Sequence, residues 1–125
     1  MYSQDIGGIA WIDLTTPYAS QTKDFYKSVV GLKDEPVSMG DYDDYVLKSP
    51  TSPDNAVGIC HAKGPNTDLP SQWLIYFNVK KIDTAIKNTI DQGGKIIRDK
   101  SDLGDYYIAV IEDPAGAVAG LIQSK

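Results

Sequence analysis

Few side chains in this 125-residue chain can do covalent or ligand chemistry. There is one cysteine and one histidine, and they are adjacent, Cys60 and His61. Neighbours on a strand point to opposite faces, so this pair cannot converge on one metal ion from a regular strand. Cys60 is expected to be a small buried thiol with no imidazole placed to activate it. His61 is expected to hydrogen-bond at the strand end before Gly64. Residues 41–44 belong to a turn, GDYDD, that lacks a calcium-loop pattern. Asp13, in IAWIDLTT, is the candidate for catalysis: it could pair a cationic ligand, or act as a base if burial raises its pKa. The alternative is a strand-end carboxylate satisfied by backbone or water. Two positions earlier, on the same side of the strand, stands Trp11.

The elements that must hold these residues are readable from spacing. From Ile9 to Thr15 apolar residues alternate, with Ala10, Ile12 and Leu14 on one face and Ile9, Trp11 and Asp13 on the other. Thr15 or Thr16 can cap a helix with Pro17 in its first turn. Ala19, Thr22, Phe25, Tyr26 and Val29 recur at helical spacing and predict its inner face, leaving Lys23, Asp24 and Lys27 outside; Gly31 ends it. Short strands are expected at residues 33–39, 45–48 and 56–62, and the loop 64–71 divides the chain. The pattern then returns, with a strand at 73–79, a helix carrying Ile82, Ala85, Ile86, Thr89 and Ile90, and strands at 95–99, 106–111 and 117–123.

The return is a countable repeat. An offset of 63 places Ile12 on Ile75, Leu14 on Phe77, Ala19 on Ile82 and Gly31 on Gly94; an offset of 62 places Gly58 on Gly120. Each half reads as strand–helix–strand–strand–strand, with the helix covering one sheet face.

Composition narrows the partners. Hydrophobic residues make up 42% and charged residues 23%, as in ordinary globular chains. Net charge is −5 with 12 basic residues spread along the chain, which argues against nucleic acid and anionic membrane. The amino terminus lacks a signal-peptide pattern, no apolar run is long enough to span a bilayer, and the lone cysteine suits a reducing compartment. A cytoplasmic, single-domain protein is expected.

The phrase ASQTKDFYKSVVGL at residues 19–32, the terminal EDPAGAVAGLIQ and the duplicated βαβββ plan together resemble the vicinal oxygen chelate superfamily, the group of glyoxalases, bleomycin-resistance proteins and extradiol dioxygenases. The resemblance implies an α+β fold of two tandem βαβββ modules, about residues 5–63 and 72–124, forming a curved mixed sheet around a cleft. It also implies homodimers. Enzymes of that group hold a divalent metal with His, Gln or Glu from the first and last strand of each module. Those positions fall here on Trp11, Gly58, Leu74 and Gly120, none of which offers a metal-donor side chain. No metal and no other cofactor is therefore expected.

In that cleft, strand alternation would set Ile9 and Asp13 beside Trp11, Tyr76 and Asn78 beside Leu74, and Cys60 beside Gly58. Tyr45 is expected at its rim, and Trp73, one residue out of register, against a helix or an interface. An indole facing glycines lines a pocket or plugs it. The expected function is metal-independent binding of an aromatic or cationic small molecule, for sequestration or sensing. Trp11, Tyr45 and Tyr76 would stack on it, and Asp13 and Asn78 would orient it. The alternative is a metal-free lyase, isomerase or hydrolase using Asp13 as base.

Overall fold

The computed structural model describes residues 2–125. Two βαβββ repeats follow one another. The first is β1 (Ile9–Thr16), α1 (Ala19–Val30), β2 (Lys33–Ser38), β3 (Asp43–Lys48) and β4 (Ala56–His61). A short 3-10 turn, Gly64–Asn66, interrupts the connection to β5 (Trp73–Asn78), α2 (Ile82–Asp91), β6 (Lys95–Asp102), β7 (Tyr106–Glu112) and β8 (Val118–Ser124). The α+β class and the duplicated plan are as expected from the sequence.

The chain forms two compact units, Ile12–Trp73 and, with the residues up to Trp11, Leu74–Lys125. The boundary falls inside β1, because the amino-terminal segment bonds back onto the second repeat: Gly7 donates its N–H to Asn78 at 2.8 Å, and Asn78 donates to Gly8 at 2.9 Å.

In the unit Ile12–Trp73 the strand order is β2-β3-β4-β1, antiparallel except for the parallel β4–β1 pair. Helix α1 packs Ala19 and Tyr26 against Leu47 of β3 and Ile59 of β4. Leu47 and Ile59 are fully buried, each contributing roughly 1.5–3 kcal/mol by burial. Gly31, at φ 84°, closes the helix in the left-handed conformation and donates to Lys27 at 3.0 Å. The helix begins at Ala19 rather than Pro17, with the Thr16 hydroxyl accepting the Tyr18 N–H at 3.3 Å.

The expected inner face of α1 is partly corrected. Phe25 and Val29 are 57% and 63% exposed, whereas the Lys23 stem is largely covered and its ammonium lies 4.6 Å from the Tyr45 ring centre. The apolar stripe is wider than the surface β3 and β4 offer it, so its outer edge faces solvent. Trp73 packs edge-on against Tyr26 and donates its indole N–H to the Tyr26 hydroxyl at 3.1 Å, which makes it a helix-packing residue.

The unit containing Leu74–Lys125 repeats the arrangement in the order β5-β8-β7-β6, with β5 and β8 parallel. Ile82 and Ala85 of α2 cover Ala109 and Leu121. The Gln123 side chain of β8 accepts the Ile82 N–H at 2.8 Å and so caps α2 from a neighbouring strand. The repeat is exact in register terms: Asp13 pairs Gly58 as Tyr76 pairs Gly120. Among the described residues no helix is long and apolar enough to cross a membrane.

Candidate functional site

On the face of Ile12–Trp73 opposite α1, pairing fixes the rows. Asp13 and Val46 flank Gly58, and Thr15 lies beside Cys60. Asp44, one step before Tyr45 on β3, falls in the Cys60 row. Burial pushes the Cys60 thiol well above its ordinary range, and the charges of Asp13 and Asp44 push it further. The thiol therefore stays protonated at neutral pH. It is no nucleophile.

Asp44 was legible only as part of a turn, yet it lies in β3 and is 7% exposed. One of its oxygens, Oδ1, accepts the His61 backbone N–H at 2.8 Å and lies 3.2 Å from His61 Nδ1. Tyr42 stands edge-on to the imidazole at 5.1 Å. His61 thus hydrogen-bonds at its strand end, as expected, and the carboxylate that holds it is the group sequence reasoning missed. Strand parity could have placed Asp44 opposite Tyr45, had the start of β3 been recognised.

Tyr45 is corrected. It pairs with Ile59, whose side chain lies in the α1 core, so Tyr45 faces the helix and not the opposite face. Its hydroxyl is 3.2 Å from Ser20 Oγ on α1. A tyrosine committed to helix packing cannot also line a rim on the other side.

In the other unit, Leu74, Tyr76 and Asn78 share the face opposite α2. Leu74 is fully buried and Tyr76 nearly so. The Tyr76 ring lies directly over Gly120: a Cβ there would come within 2.2 Å of its Cδ2 atom. Asn78, 4% exposed, spends its side-chain amide on the amino-terminal segment, donating to the Ser3 carbonyl at 2.7 Å. Trp11 is half-buried and stacks on Tyr2, with ring centres 6.2 Å apart and planes inclined by 26°. Tyr2 was not anticipated; its backbone bond to Ala10 at 2.9 Å lays the amino terminus along β1.

These residues do not fit the divalent metal that the fold implies. Indole, isobutyl and two missing side chains supply no metal-donor lone pair, and the space over Gly120 is filled by a phenol ring. Among the described residues no group of three or more His, Cys, Asp or Glu side chains could hold a metal ion elsewhere.

The comparisons agree with the architecture. The family model described as Glyoxalase/Bleomycin resistance protein/Dioxygenase superfamily matches residues 8–119. The "Putative glyoxylase CFP32" of Mycobacterium tuberculosis is 29% identical over 95% of this chain and 45% of its own length. The "Anthracycline biosynthesis protein DnrV" of Streptomyces peucetius is 22% identical over 95% of this chain and 42% of its own length. The chain thus spans less than half the length of these curated relatives. A solved superfamily member from Vibrio splendidus superposes with a TM-score of 0.61 at 11% identity, covering 94% of this chain and all of that one. A family model spanning nearly the whole chain, on a duplicated βαβββ scaffold, is decisive: the chain belongs to the glyoxalase/bleomycin resistance protein/dioxygenase superfamily.

Proposed function

We propose that this protein binds a planar, cationic small molecule without a metal, in order to sequester or sense it. The observation that carries this reading is on β1, where Trp11 and Asp13 project from the same side and Asp13 is flanked by a residue with no side chain, Gly58. An indole supplies a face for stacking and for cation–π attraction, and a carboxylate two residues along supplies the counter-charge. The name of the Streptomyces relative, an anthracycline biosynthesis protein, is consistent with a planar aromatic ligand. Tyr45 and Asn78 have no part in this site, since α1 and the amino-terminal segment occupy them. An excess of acidic over basic residues favours a cation over an anion at long range.

Fluorescence titration of the protein with doxorubicin, a planar amine, tests the reading. Saturable quenching that weakens in Asp13→Asn supports it; quenching that is linear in probe, or indifferent to Asp13→Asn, refutes it. The exposed Phe25 and Val29 on α1 suit a homodimer, which light scattering on the eluted protein would detect. A cytoplasmic setting accords with a thiol that forms no disulfide.

A second reading is favoured by the contact between Asp44 and His61. An aspartate on Nδ1 fixes the orientation and tautomer of an imidazole, the positioning a general base requires. The protein would then be a metal-independent lyase or isomerase, with His61 as an alternative base to the candidate Asp13, which lies on the opposite face of the strands. Turnover of a carbonyl substrate that survives chelation and is lost in His61→Gln would establish it.

A further inference from the structure

A second cavity lies in the unit that contains Leu74–Lys125, on a different set of side chains from Trp11 and Asp13. It is an open groove of about 390 Å³ between Ile6 of the amino-terminal segment, Val79, Lys80 and Lys81 after β5, and Thr84 and Asn88 on α2. That volume lies within the roughly 300–1,000 Å³ typical of small-molecule sites. One wall is fixed by the Gly7–Asn78 backbone bond, and Gly7, at φ 83°, turns the chain so that Ile6 is 66% exposed.

The walls are apolar but two cations border them. Among the described residues neither Lys80 nor Lys81 has a carboxylate partner, whereas Lys87, Lys95, Lys100 and Lys125 of the same unit each do. Asp83, the acid nearest in sequence, is held by Lys100 at 3.2 Å. In a chain of net charge −5, two adjacent uncommitted ammonium groups beside an apolar groove are a local reversal of sign. Their complement is a ligand with a hydrocarbon body and one negative head.

We propose that this groove binds a free amphipathic carboxylate of the medium-chain fatty-acid class. Its chain lies against Ile6 and Val79, and its carboxylate meets Lys80 and Lys81. Thr84 and Asn88 form the α2 wall of the groove.

Calorimetric titration of the full chain with decanoate below its micelle concentration, with decyltrimethylammonium in parallel, tests this. One decanoate should bind per chain and the cation should not. The double variant Lys80→Glu/Lys81→Glu should weaken decanoate by about tenfold or more, as expected for reversing two nearby charges. Thr84→Trp, at an exposed helix position, should block the groove, while Trp11→Phe leaves binding intact. The proposal is overturned by absence of saturable decanoate binding, by equal binding of the cation, or by affinity unchanged in the double variant. It is equally overturned if Trp11→Phe abolishes binding and Thr84→Trp does not.

Discussion

The ring of Tyr76 rests on Gly120, so that a single added carbon at residue 120 would lie 2.2 Å from ring atom Cδ2 and 2.4 Å from Cε2. The two residues face each other across the parallel β5–β8 pair. Gly120, where the resemblance implied a metal-ligand position, is thus a seat for an aromatic side chain from the neighbouring strand. A residue without a side chain leaves a hollow in the wall it belongs to. Here the hollow is filled.

Gly120→Ala should therefore destabilise the fold by roughly 1–3 kcal/mol, the usual cost of overpacking a filled site. Combined with Tyr76→Ala, which removes the obstructing ring, the added penalty of Gly120→Ala should largely vanish. Urea unfolding of the four proteins checks this. Additive penalties would show that the ring and the glycine are not coupled.

Much of this architecture is legible locally. Glycine ends, helical spacing and the 63-residue offset place both helices and all eight strands, because each signal lies within one element. What is illegible depends on pairing between distant residues. Tyr45 faces α1 because β3 pairs with β4 at Ile59, a register that no property of residue 45 announces. Asp44 hides in a run of turn formers and becomes a buried acceptor only when His61 arrives beside it. Asn78 looks like a ligand-orienting amide until residues 2–8 return to occupy it.

Asp44→Ala should cost about 1–3 kcal/mol, because the His61 backbone N–H loses its acceptor in a largely buried setting. Asp44→Asn keeps an oxygen there and should retain most of the stability. Thermal melts at neutral pH distinguish the two, and equal losses would contradict the backbone role assigned to Asp44.

Cys60 should alkylate slowly in the folded protein. Its folded pKa is raised above the ordinary 9.0, so the thiol is neutral when folded at a pH where the unfolded thiol already ionises. The sign follows: the contribution to stability is whole below that ordinary value and is lost as pH rises above it. Stability of the wild type should thus fall more steeply above pH 9 than that of Cys60→Ala, as followed by denaturant midpoints. Rapid labelling by iodoacetamide at pH 8 would contradict the protonated thiol.

Removing the cap on α2 should also be felt at a distance in sequence. Gln123→Ala leaves the Ile82 N–H without its 2.8 Å acceptor and should cost about 0.5–2 kcal/mol, the range for losing a helix cap. Hydrogen exchange should quicken at the first turn of α2 and not in α1. Unchanged protection there would separate Gln123 from the helix.

The ligand we propose beside Trp11 and Asp13 would bind without a metal. Trp73→Phe leaves Trp11 as the only tryptophan, so its quenching by doxorubicin reports on that side of β1 alone. The titration should be run in excess chelator and again in excess manganese. Saturable quenching with one affinity is expected in both conditions. Quenching that appears only with manganese would contradict it.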